Sequence, residues 1–171
     1  MNKETKKQII KIPKGVFCTA EENSSTQSQT SAEEESERHI SKLERYIEIS
    51  EANDPHLGDV LVTAGFAYLQ GLYHASIDKN KALQYFQKAN QLGCVSALYA
   101  LGYYYVLFDD GEFFDGDEIL SFGMGVSYLG KAHLAGNDNA TNLLNDMIKD
   151  GMFPSSLNFN SIEDIIKFLD E

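Results

Sequence analysis

Three observations predict an all-α fold made of stacked helical hairpins. From Glu37 onward the apolar residues recur with helical period. No segment of that region alternates with the two-residue period of a strand. The helical segments also repeat one another at a nearly fixed offset, and a helix pair with too little core of its own must stack on its neighbours. The 171 residues, 43% hydrophobic and 11% aromatic, suffice for one domain with a core and a tail.

The chain opens with a basic stretch. Residues 1–14 hold five lysines and one glutamate, a net +4 that leaves −16 on the rest of a chain whose total is −12. "QIIKIP" within it either docks as an extended arm or short strand, or stays unstructured. "GVFC" has the look of a lipid-anchored cysteine, but no apolar h-region precedes it. Residues 19–36 are rich in Ser, Thr, Gln and Glu without an apolar anchor, the composition of a flexible linker. Residues 1–36 are therefore expected to be a tail whose deletion leaves the melting temperature nearly unchanged, and residues 37–171 the folded domain.

In "ERHISKLERYIEISEAND" residues Ile40, Leu43 and Ile47 share a face, and Pro55 enforces a break. Further helices are expected at about 58–72, 78–92, 95–108, 117–135 and 138–150. Asp78 is placed to cap the third helix. "NSIEDIIKFLDE" reads as a short closing helix, with Ser161 as N-cap and Glu163 and Asp164 in its first turn.

The repeat is explicit. Leu61, Ala64, Gly65 and Tyr68 reappear 37 residues later as Leu98, Leu101, Gly102 and Tyr105. Ala82, Tyr85, Phe86, Lys88, Ala89 and Gly93 reappear 43 residues later as Gly125, Tyr128, Leu129, Lys131, Ala132 and Gly136. At the same 43-residue offset, Ala97 and Leu101 correspond to Ala140 and Leu144. The offset grows by six between the two helices of the second pair, so the extra residues lie between about 108 and 124. Gly65 and Gly102 cost helix propensity, about 1 kcal/mol each relative to Ala, which a close helix approach would justify. Gly93 and Gly136 fall where left-handed residues end helices.

These residues resemble the Sel-one-like repeat, a tetratricopeptide-related helical hairpin. The matching positions are Gly65, Tyr68 and Gly71, then Asp78, Lys81-Ala82, Tyr85-Phe86, Lys88-Ala89 and Gly93, with Ala97, Leu101-Gly102 and Tyr105 opening the next repeat. The second repeat departs from the pattern: Met124-Gly125 stands where Lys-Ala belongs, Asn145 replaces a glycine, and an acidic segment replaces the usual turn. The resemblance implies a right-handed α-α superhelix (solenoid) of two to three helical hairpins that binds proteins. Such repeats occur in signalling adaptors, in host-interaction proteins and in immunity proteins that neutralise toxins.

The acidic segment "FDDGEFFDGDEIL", residues 108–120, carries six carboxylates around two glycines. An EF-hand loop needs acids at positions 1, 3 and 5, Gly at 6 and Glu at 12. A loop ending at Glu118 starts at Leu107, and one starting at Asp110 puts Asp115 where the glycine belongs, so both registers fail. Paired-carboxylate hydrolysis needs a cleft and two acids in unlike environments, which a clustered loop suits poorly. The segment is then either a solvated loop or, because Phe108, Phe113 and Phe114 are unusual in one, a partner anchor. As an anchor it would use Phe108, Asp109, Asp110, Glu112, Phe113, Phe114, Asp115, Asp117 and Glu118. Consecutive helical residues point about 100° apart, so of Tyr103, Tyr104 and Tyr105 the last matches the repeat core. Tyr103 and Tyr104 either pack inside or reach the partner surface.

The four histidines, His39, His56, His74 and His133, show no metal-ligand spacing, so no metal and no cofactor is expected. Cys18 and Cys94 lie in unlike segments, which argues for a reducing, cytoplasmic setting rather than a disulfide framework. Cys94 opens a helix, but without a histidine nearby in sequence it reads as a buried or idle thiol. No phosphate loop, nucleophile elbow or dinucleotide motif is present, and no apolar run reaches membrane-spanning length. The negative charge argues against a binder of the nucleic-acid backbone, which needs a basic face. The expected function is therefore non-enzymatic protein binding to a basic partner, as an immunity protein against a toxin or, alternatively, as a regulatory adaptor.

Overall fold

The computed structural model describes residues 40–109, 117–154 and 156–170. Every regular element among them is helical, so the fold is all-α. The expected tail, 1–36, lies outside the described residues. The helices are α1 (40–49), α2 (Leu57–Gln70), α3 (Lys79–Gln91), α4 (Val95–Leu107), α5 (Glu118–Leu134), α6 (Asp138–Lys149) and α7 (Ile162–Leu169). Two compact units divide within the first turn of α4, between Ala97 and Leu98.

Several helix starts follow from side-chain caps, though α2 begins after His56 without one. The Asp78 carboxylate accepts the Lys81 N–H at 2.9 Å, the cap the sequence leads one to expect. Asn137 takes the Ala140 N–H at 3.0 Å. Ser161 and Asp164 form a reciprocal capping box at α7. Helix ends follow from glycine: Gly93 and Gly136 adopt φ of 77° and 83°. One of these boundaries, the end of α2, differs from expectation by more than a residue. Helix α2 stops at Gln70 rather than 72, because Gly71 turns left-handed at φ 68° and a single 3-10 turn, Leu72–His74, follows.

In the first unit α2 and α3 pack antiparallel. Gly58 lies against Cys94, Gly65 against Phe86, and the Tyr68 hydroxyl beside Lys81. A Cβ on Gly65 would collide with the Phe86 ring, itself fully buried and tilted on Phe66 at 5.0 Å. Each such buried ring or Leu side chain contributes about 1.5–3 kcal/mol. Helix α1 is tied to this hairpin through Glu44.

The second unit repeats the arrangement with α4 and α5. A Cβ on Gly102 would come within 2.6 Å of Leu129, and one on Gly125 within 2.6 Å of Val106. An added Cβ on either glycine would also lie 3.0 Å from the other's carbonyl oxygen, so there is no room for a side chain between the two backbones. Helix α6 packs on α5, and α7 covers Gly130 with Ile166 and Leu169. A chain of rings, Phe122, Phe153, Phe159 and Phe168, with neighbouring centroids 5.2–5.7 Å apart, joins the start of α5 to α7.

Candidate functional site

The six extra residues of the second repeat have a structural outcome. Helix α3 begins at Lys79, whose repeat counterpart is Phe122, yet α5 begins at Glu118. The second hairpin therefore gains an N-terminal turn. Asp117 caps it, its carboxylate accepting the N–H groups of Ile119 and Leu120 at 2.9 and 3.1 Å. Ser121 pins it from inside: its fully buried hydroxyl donates to Asp109, whose carboxylate is only 3% exposed. The Tyr105 carbonyl oxygen lies 3.4 Å from the same hydroxyl.

This added turn walls a cleft of about 350 Å³ within the second unit. Tyr105, Val106 and Asp109 form one side, Glu118, Ile119 and Phe122 another, and residues Gly151, Met152, Phe153 and Pro154 the third. The lining is mainly apolar, with two carboxylates set into it. Ile119 is 82% exposed at its edge, and Leu120 beside it is also exposed. An apolar slot with a few fixed polar groups is the general form of a recognition pocket.

Of the residues singled out in the sequence, the structure brings Asp109 and Glu118 to the cleft. Asp117 is exposed and serves as a helix cap. Phe108 is half-buried, its ring 5.6 Å from that of Tyr103. Tyr103 and Tyr104 are buried, each 2% exposed, Tyr103 against Tyr99 and Tyr104 edge-on to Tyr105. Asp110, Glu112, Phe113, Phe114 and Asp115 lie outside the described residues. Ile119, Phe122, Met152, Phe153 and Pro154 were not legible as site residues. The available signal was that Ile119 and Leu120 are apolar yet lie outside the repeat register.

The first unit builds a different end. The Lys81 ammonium lies 2.6 Å from the Glu44 carboxylate, 2.8 Å from the Tyr68 hydroxyl and 4.1 Å above the Tyr68 ring. Tyr68 also donates to Glu44 at 2.6 Å. Burial pulls the Lys81 ammonium down, but its bonds to Glu44 and Tyr68 outweigh this and hold it above the usual lysine range. The bonds from Lys81 and then Tyr68 hold Glu44 below the usual carboxylate range. Elsewhere, burial pushes the Cys94 thiol up, with its sulfur 3.4 Å from Asp59, the opposite of nucleophile activation. His133 pairs with Thr141 at 2.8 Å. Among the described residues no group of three His, Cys, Asp or Glu side chains is placed to hold a metal ion, and no helix is long and apolar enough to cross a membrane.

No protein-family model, curated protein or solved structure matches the chain.

Proposed function

We propose that the chain is a non-enzymatic protein-binding module of the Sel-one-like kind, its hairpins stacked in a right-handed α-α superhelix. On this reading the cleft and the acidic segment 108–118 contact a partner that presents a basic surface. The observation that carries the reading is the cleft itself, an apolar slot with Asp109 and Glu118 in its wall and Ile119 open at its edge. An aliphatic anchor flanked by lysine or arginine suits it. The net charge of −12 would speed the encounter with such a partner. The sharpest form of the proposal is a cytoplasmic immunity protein that covers the basic substrate surface of a toxin. A regulatory adaptor would use the same cleft, and the chemistry of the captured partner separates the two.

The test combines capture with variants. A partner is captured with wild-type protein from the source cell, identified, and its kinetics measured. Ile119→Ser together with Phe122→Ala should speed dissociation at least tenfold, because the anchor loses apolar contact. Asp110, Glu112, Asp115 and Glu118 changed to their amides should slow association and flatten its salt dependence. Wild-type kinetics in both variants would sink the cleft reading.

A further inference from the structure

We propose that the chain carries an occupant for this cleft, and that residues 3–13, "KETKKQIIKIP", dock there until a partner displaces them. The inference rests on reading the cleft as a binding surface. Three observations point to this segment. The first is charge: Lys3, Lys6, Lys7 and Lys11 belong to a stretch of net +4 on a chain otherwise at −16. The described rim of the cleft presents exposed Glu118 with Asp117 next to it. The second is shape. Pro13 biases Ile12 to extended backbone, and in an extended chain Ile10 and Ile12 share one face while Lys11 takes the other. Two aliphatic side chains on one face and ammonium groups beside them complement an apolar slot of about 350 Å³ with the exposed Glu118 in its lining.

The third is reach. Residues 14–39 separate the segment from α1, and 26 residues extend to about 90 Å. As a coil they average about 28 Å end to end. A tether of that contour leaves the segment free to explore the surface of the chain that carries it. A tether of this kind holds the segment at an effective concentration on the millimolar scale. Weak intrinsic affinity is then enough for substantial occupancy. A partner's apparent affinity falls by the fraction of chains with the cleft open, which makes the segment a threshold against weak competitors.

The full-length chain provides the test. A carbodiimide joins ammonium and carboxylate groups only where they touch. Treatment at low ionic strength, followed by digestion and mass spectrometry of the monomer band, should link Lys3, Lys6, Lys7 or Lys11 to Glu118 or Asp117. The link should fall at least fivefold in 0.5 M salt, and at least fivefold in the Ile10→Ser/Ile12→Ser chain, which keeps every charge. Links spread evenly to acids elsewhere, such as Asp59, Asp146 and Glu163, would overturn the proposal, as would none to the cleft rim. Links found only in covalent dimers would assign the cleft to a second copy's segment and overturn it as well. The outcome is separable from that of the partner kinetics. A missing link leaves partner binding through Ile119 untouched, and a clear link survives even where the cleft variants bind a partner normally.

Discussion

The hairpins α2/α3 and α4/α5 share an interior and differ at one end. Inside, a glycine meets the bulky side chain of the next helix in both: Gly65 with Phe86, and Gly102 with Leu129. Both place two tyrosine rings 6.0 Å apart, Tyr68 with Tyr85 and Tyr105 with Tyr128. At the end they part. The first hairpin sets Lys81 over the Tyr68 ring and ties it to Glu44. The second has Met124 at that position, 39% exposed, and an added helical turn that walls a cleft beside Tyr105. The repeated residues specify how two helices touch. What is built at the hairpin's end is free to diverge, and there a site can form without disturbing the packing.

The largest expected effect tests the shared interior. Gly65→Leu and Gly102→Leu should each cost about 3 kcal/mol or more, the upper end for overpacking a filled site. Gly65 faces a buried aromatic ring, while Gly102 faces both Leu129 and the backbone of Gly125. With urea slopes of about 1–3 kcal/mol per molar, each midpoint should drop by 1 M or more. Gly123→Ala is the control: nothing lies within 4 Å of its added Cβ, so removing a helical glycine should leave stability equal or slightly higher. A wild-type midpoint in either leucine variant would break the equivalence of the two hairpins.

That equivalence was largely legible in the sequence, because close contact restricts residue choice. Only glycine fits at 65 and 102, and only left-handed residues suit Gly93 and Gly136, so the pattern survives in the letters. Helix caps were legible for the same reason at Asp78 and Ser161. The cleft was not. Its walls come from three separate stretches, the third well removed from the first two, and Phe153 and Pro154 enter from a segment with no period to read. Acidic residues look alike in the sequence but not in space: Asp109 turns inward to Ser121, Asp117 caps a helix, and Glu118 faces solvent. Tyr103 and Tyr104 lie inside because α4 is buried on nearly all faces, which a strongly apolar helix conveys only as a whole.

The next effect probes the end that differs. Ser121→Ala removes a buried donor from the Asp109 carboxylate, which should cost about 1–3 kcal/mol. Its counterpart in the first hairpin is Asp78→Ala, the loss of a helix cap at about 0.5–2 kcal/mol. Hydrogen exchange sharpens the contrast. Ser121→Ala should raise exchange in the first turn of α5 and around Met152, while Asp78→Ala should act on α3. Unchanged exchange near Met152 in Ser121→Ala would mean that the added turn is held by something other than this bond.

The smallest effect tests whether charge or packing secures the end of the first hairpin. The Glu44 and Lys81 side chains are 32% and 36% exposed, so screening limits the pair to about 1 kcal/mol or less. The sign follows from linkage. Glu44 ordinarily titrates at 4.5 and is lowered in the folded chain, so its contribution is fully present above about pH 4.5 and is lost as pH falls through the folded value. Lys81 ordinarily titrates at 10.5 and is raised, so its contribution is present below that pH and is lost only at higher alkalinity. The urea-midpoint difference between wild type and Glu44→Gln should therefore stay level from about pH 5 to pH 9 and shrink toward about pH 3. A difference that persists in acid would show that Glu44 acts through its shape. Lys81→Met gives the first hairpin the residue of the second, and near pH 7 it should lose about as much stability as Glu44→Gln. If it loses nothing, methionine and the ion pair are equivalent solutions, and the two hairpins differ at this corner only in the cleft.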